Sequence, residues 1–146
     1  MALGYKFKLQ KLLEIREHEE ENKKIQFMKA NSEKQNIEKT LENLEDNYLK
    51  YSSMDVSLAP TFQRKIQQNY LSLLNSTIEA TTTTLEELSK ILENKRQDLV
   101  LAQVNRKTVE ILKEKKKSQF LQEQDRIEQL QNDEFALYGF IRQTRR

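Results

Sequence analysis

LSLLNSTIEATTTTLEELSKILENKRQDLVLAQV, residues 71–104, decides the fold. Read in sevens, one set of positions is Leu71, Ile78, Leu85, Leu92 and Leu99, continuing through Arg106, Lys113, Phe120, Ile127, Glu134 and Ile141. The set three residues later is Leu74, Thr81, Leu88, Lys95 and Ala102, continuing through Val109, Lys116, Glu123, Leu130 and Leu137. Most of both sets are apolar, and the register never slips. Apolar residues at alternating steps of three and four mark a helix with a narrow seam, the pattern of a coiled coil. No Gly or Pro lies between Thr61 and Tyr138. At about 1.5 Å per residue such a helix spans roughly 110 Å, and it needs a partner along its seam.

Upstream, Phe7, Leu9, Leu12 and Leu13 form an apolar opening, followed by a polar stretch from Arg16 to Lys24. Apolar spacing resumes at Phe27, Ala30, Ile37, Leu41, Leu44, Tyr48 and Tyr51, in one register with Leu9 and Leu13. Arg16, Glu20, Lys23 and Lys34 take the seam positions in between. The segment from Ser52 to Pro60 breaks the pattern. Its Ser and Asp residues compete for backbone hydrogen bonds, and Pro60 disfavours helix at Ala59 while suiting the first turn of a new one. The expectation is all-α: one coiled-coil hairpin over 1–146, with a helix at 5–53, a loop at 54–59 and a helix at 60–142. The two helices are expected to pack antiparallel, with the carboxy-terminal one overhanging.

The expected alignment sets Leu44 opposite Leu71, Leu41 opposite Leu74, Ile37 opposite Ile78, Ala30 opposite Leu85, Phe27 opposite Leu88 and Leu13 opposite Ala102. Lys34 then meets Thr81, and Glu20 meets Lys95. A shift by one heptad lengthens the loop and puts Phe27 against Lys95, so it is disfavoured here. In this alignment the first helix runs out opposite about Val109. Phe120, Ile127, Leu130, Phe135, Leu137, Tyr138, Phe140 and Ile141 are left without a partner in the chain. An apolar stripe in water marks either a binding surface or self-association. Thr81–Thr84 is a run of β-branched residues, a hinge or a locally weak helix held by Leu85 and Leu88. The weak helix is preferred.

Composition bounds the function. Charged residues make up 33% of the 146 and hydrophobic ones 36%, with no Trp and no Cys. That supplies the stripe between two helices but not a thick core. The net charge of +2 sets up no global field toward nucleic acid. Without Cys there are no disulfides or thiolate metal sites. No apolar run approaches the roughly 20 residues of a membrane span. The opening MALGYKFKLQ lacks the apolar core of a secretory signal. Direct membrane insertion is therefore not expected, and any membrane association is expected to be peripheral.

No catalytic set is visible, and an enzyme is not expected. His18 is the only histidine and lies among glutamates. It could ligate a metal with Glu14, but a solvated surface histidine is the preferred reading. A carboxylate-bundle dimetal site needs Glu three residues before His, and that position is Ile15. No cofactor is expected. Arg106, Lys107, Lys113, Lys115, Lys116 and Lys117 form a basic patch diluted by Glu110 and Glu114. A solvated face, with Glu110 paired to Lys113, and a partner contact stand level. Nucleic acid is behind, because no aromatic or Gly pattern of a nucleic-acid module accompanies the patch. Arg142, Arg145 and Arg146 suit the negative end of a helix dipole.

Four stretches together resemble the FliJ family, the small coiled-coil component of the flagellar type III export apparatus. They are Phe7-x-Leu9-x-x-Leu12-Leu13-x-x-Arg16, the Tyr70/Leu74/Ile78 spacing, the run from Lys107 to Lys115, and the run from Glu128 to Ala136. The resemblance covers nearly the whole chain in order. It implies an antiparallel two-helix stalk, docking into the ring of the export ATPase FliI, contact with the cytoplasmic domain of the export gate FlhA, and handling of export chaperones. It implies a cytoplasmic location, peripheral to the inner membrane through partners. The implied gate contact falls on Tyr70, Leu74, Thr77 and Thr81; family members can carry Ala and His where this chain has Thr77 and Thr81. The implied ring contact falls on Phe7, Leu9, Leu12, Leu13, Phe120, Ile127, Leu130, Phe135 and Leu137. The competing reading is a general coiled-coil scaffold, or a holdase-like chaperone whose apolar end shields clients.

Overall fold

The computed structural model describes residues 4–145; Arg146 lies outside them. Helix α1 is Gln10–Ser52, 43 residues, and α2 is Thr61–Thr144, 84 residues. The two pack as an antiparallel hairpin. Two compact units are distinguished: Glu21–Leu101, and the residues up to Glu20 with those from Ala102 onward.

Burial follows the seam. In Glu21–Leu101, Ala30 and Leu74 are buried and Leu92 is 6% exposed, while Phe27, Ile37, Leu41, Leu44 and Leu85 are half-buried. In the other unit Leu13 is 4% exposed, and Ala102 and Val109 are buried. The polar seam residues Arg16, Glu20, Lys23, Lys34, Lys95 and Arg106 are half-buried as well. Partial burial of this kind is what long charged side chains allow, since an aliphatic stem can pack on apolar surface while the charged head stays hydrated or paired.

The pairing differs from expectation by one heptad in both units. In Glu21–Leu101, Lys23 approaches Asp98 at 4.0 Å and Lys95 donates to Gln26 at 3.4 Å. The Arg96 guanidinium lies 5.8 Å from the Phe27 ring centre, and Tyr51 packs edge-on against Tyr70 at 4.9 Å. In the other unit, Arg106 binds Glu20, and the Tyr5 ring lies 5.6 Å from that of Phe120. These contacts place Leu13 level with Val109 and Ala30 level with Leu92.

Polar complementarity is the physical reason. The expected alignment sets Arg106 against Leu9, with no carboxylate across the seam to meet it. The observed one gives Arg106 a cross-helix partner in Glu20, beside Glu110 four residues on in its own helix, at 2.6 Å. Glu110 thus turns back to Arg106 rather than forward to Lys113. Phe27 opposite Lys95 costs little, because a lysine stem packs against apolar surface while its ammonium, here on Gln26, stays at the edge, and the cation over the ring is Arg96.

The connection is correspondingly long and folds onto the start of α2. Gln67 Nε2 donates to the Tyr51 carbonyl at 2.5 Å, satisfying an orphan acceptor at the end of α1. Asp55 Oδ1 accepts from the Ser57 amide at 2.9 Å, an Asx turn. That bond, then the Ser57 hydroxyl, holds the Asp55 carboxyl below the usual aspartate value. The Pro60 carbonyl accepts from the Arg64 amide at 3.2 Å, opening α2.

α1 starts at Gln10, later than the expected Tyr5. Residues 4–7 are irregular and 8–9 form a turn, with the Gln10 amide on the Phe7 carbonyl at 3.3 Å. α2 passes through Thr81–Thr84 unbroken. Each of these four hydroxyls donates to the carbonyl four residues back, at 2.7–3.1 Å, a local bond that helical threonines make within the helix.

Candidate functional site

Three surfaces stand out. The first is the end of α2. Tyr5 covers Phe120, which is half-buried, so the uncovered stretch begins at Leu121 rather than after Val109. From there Leu121, Ile127, Leu130, Leu137, Phe140 and Ile141 are exposed, Phe135 is 75% exposed and Tyr138 66%. Ile127, Leu130, Leu137 and Ile141 keep the register of the covered seam. Tyr138 and Phe140 flank it and widen the apolar face. Charge is graded along the stretch: Glu123, Asp125, Glu128, Asp133 and Glu134 precede Arg142 and Arg145. Arg126 grips Glu123 with two bonds, at 3.0 and 2.6 Å. The Glu123 carboxyl is thereby held below the usual glutamate value, chiefly by the hydrogen bond from Arg126.

Of the residues expected to meet a ring, Ile127, Leu130, Phe135 and Leu137 are on this surface. Leu9 is also exposed and Phe7 half-exposed. Leu12 is half-buried, and Leu13 and Phe120 are spent on the intramolecular packing.

The second surface is the first part of α2. Phe62, Ile66, Tyr70, Leu73 and Thr77 fall within one narrow face of the helix and are all exposed. A cleft of about 480 Å³ opens beside it, lined by Tyr51, Met54, Val56, Ile66, Tyr70 and two glutamines. Of the residues expected to meet an export gate, Tyr70 and Thr77 lie here. Thr77 Oγ1 is turned onto the Leu73 carbonyl at 2.8 Å. Leu74 is 6% exposed, a seam residue, and Thr81 is half-buried. Leu73, 63% exposed, sits outward between Tyr70 and Thr77 and was not singled out by the heptad reading. Its signal is the spacing of four, four, three and four from Phe62 to Thr77, a second stripe beside the seam.

The third surface is the basic patch, which the structure divides. Arg106 belongs to the packing through Glu20 and Glu110. Lys113 is half-buried, and its carbonyl accepts from the Tyr5 hydroxyl at 3.3 Å. Lys107, Lys115, Lys116 and Lys117 are exposed. Tyr5, Phe7 and Leu9 line a cleft with Leu112, and Lys6, Lys8 and Lys116 edge it. Lys6 and Lys8 also escaped the heptad reading. Their signal is the strict alternation from Tyr5 to Leu9, apolar and basic in turn, which suits extended backbone better than helix.

His18 is exposed. Among the described residues no group of three or more His, Cys, Asp or Glu side chains could hold a metal ion. No helix among them is long and apolar enough to cross a membrane.

Comparison with known proteins returns one finding. The family model described as "Flagellar FliJ protein" matches residues 5–145. No curated protein and no solved structure matches the chain.

Proposed function

The chain belongs to the flagellar FliJ family and is thus a component of the flagellar export apparatus; on that premise we propose that it couples the export ATPase ring, FliI, to the export gate through the cytoplasmic domain of FlhA. The observation that carries this reading is the apolar face from Leu121 to Ile141, exposed beyond the reach of the described amino-terminal residues. Inserted among ring subunits, it biases the conformations to which it binds best, because a ligand shifts an equilibrium only by its differential affinity. Ile127, Leu130, Phe135 and Leu137 make the ring contact, supported by Phe7 and Leu9. Leu12, Leu13 and Phe120 act indirectly, by holding the amino-terminal segment against α2.

The gate contact is made by Tyr70 and Thr77 together with Leu73. Leu74 and Thr81 carry that face from beneath. Export chaperones and their clients are further partners. The protein works in the cytoplasm, peripheral to the inner membrane through its partners, without inserting into the bilayer. It binds no nucleic acid and needs no cofactor, and its role is that of a partner rather than an enzyme.

Purified FliI provides the test. Added chain is expected to raise ATP hydrolysis or promote ring assembly. Combined Ile127→Ser, Leu130→Ser and Leu137→Ser substitutions are expected to abolish the effect with helicity unchanged. An ATPase indifferent to the intact chain in both respects would sink the coupling role.

A further inference from the structure

We infer that the cleft formed by residues 5–9 against α2 is a docking site for an acidic amphipathic segment of a protein partner. Its walls are apolar: Tyr5, Phe7, Leu9 and Leu112. Its volume is about 430 Å³, room for a few side chains rather than a whole small domain. Lys6, Lys8 and Lys116 stand around it, and no carboxylate is among its lining residues. None of these three lysines makes an ion pair among the described residues. Arg106, by contrast, already has two carboxylates and offers no free charge. Of the basic patch, Lys116 stands at the cleft, and the exposed Lys107, Lys115 and Lys117 likewise make no ion pair among the described residues.

The cleft is held together by contacts within the chain. The Tyr5 hydroxyl donates to the Lys113 carbonyl, and the Tyr5 ring packs on Phe120 at 5.6 Å. The Phe7 carbonyl accepts from the Gln10 amide. These contacts strap an otherwise extended segment to α2, so little ordering is left to oppose binding.

Recognition follows from the pairing of the two chemistries. Exposed lysines are point charges whose individual ion pairs are weak and screened by salt. They select sign and speed encounter, while an apolar side chain buried in the cleft supplies the affinity. An occupant must therefore present carboxylates on both sides of a Leu or Phe. A phosphate-rich polymer would engage the lysines and leave the apolar walls unfilled. This inference does not depend on which component of the apparatus carries the segment; Phe7 and Leu9 are shared with the proposed ring contact, and a peptide measurement made without the ATPase tests the cleft apart from that contact.

The test uses the full chain and two labelled synthetic peptides, followed by fluorescence anisotropy. One has glutamates flanking a Leu–Phe pair; the other has lysines in place of the glutamates. The acidic peptide is expected to bind and the basic one not. Combined Lys6→Glu, Lys8→Glu and Lys116→Glu substitutions are expected to weaken binding by about tenfold or more, and added salt to weaken it in the intact chain. Leu112→Gln is expected to weaken binding without changing its salt dependence. Circular dichroism confirms that each variant keeps its helix content. The inference is overturned if the acidic peptide fails to bind the intact chain. It is equally overturned if both peptides bind alike, if the folded triple variant keeps full affinity, or if vesicles of anionic phospholipid bind where the acidic peptide does not.

Discussion

Leu92 and Leu130 occupy seam positions of the same helix and differ in what faces them. Leu92 is 6% exposed beneath α1, level with Ala30, whereas Leu130 is half-exposed, with none of the described residues packed across from it. Spacing along the chain is indifferent to this. It aligns the apolar side chains on one face through the 3.6-residue turn. Whether that face stabilises the fold or waits for another molecule depends on where the first helix ends. Heptads covered from within are spent on folding; heptads beyond the cover are available for binding.

The contrast can be broken by matched substitutions. Leu92→Asp buries an unpaired carboxylate, with an expected loss of roughly 3–5 kcal/mol in urea unfolding followed by circular dichroism. Leu130→Asp is expected to change stability by no more than about 0.5 kcal/mol. Equal losses would mean that the end of α2 is covered after all.

Paired cysteines sharpen the alignment. Leu13→Cys with Val109→Cys is expected to crosslink on oxidation and, once closed, to stabilise by about 2–4 kcal/mol. Leu41→Cys with Leu74→Cys, facing one another only in the alignment expected from sequence, is expected to crosslink poorly. The reverse outcome would restore the shorter connection.

Arg106→Ala leaves Glu20 half-buried without its cation, with an expected cost of roughly 1–3 kcal/mol that shrinks as salt is added. Arg126→Ala, on the exposed stretch, removes a solvent-screened pair and should leave the unfolding midpoint where it was. Gln67→Ala, which frees the Tyr51 carbonyl at the end of α1, is expected to cost about 0.5–1.5 kcal/mol.

The smallest effect is a titration. The Glu123 carboxyl is held low by Arg126. Its pairing is complete above the ordinary glutamate value and fades as pH falls through its own lower one. In an NMR titration, Arg126→Gln is expected to move Glu123 back up toward the ordinary value. A titration unmoved by the substitution would remove the pair.

Most of the hairpin was legible because a helix repeats. From Leu13 through Tyr51 and from Leu71 through Val109, the seam positions named from spacing are those withdrawn from solvent, polar ones included. The break around Pro60 was legible from proline's fixed φ and missing amide. The exposed apolar surfaces were legible in part. The apolar stripe at the end of α2 needed only periodicity, but its start at Leu121 depended on Tyr5 reaching Phe120. Two features were hidden for different reasons. Lys6 and Lys8 were absorbed into a helix that begins only at Gln10, and Leu73 lay off the seam that the reading followed.

Helix content, the face each helix buries and the single turn between them follow from local rules: propensity, periodicity and proline. Family membership also follows from residue order alone. The alignment of one helix on the other does not. A shift by seven residues returns each helix to the same face, so the seams match nearly as well in either alignment. Only long-range contacts separate the two: Arg106 with Glu20, Lys23 with Asp98, Tyr51 with Tyr70 and Gln67 on the end of α1. They join one helix to the other, and their sum decides which apolar heptads are covered and which stay exposed.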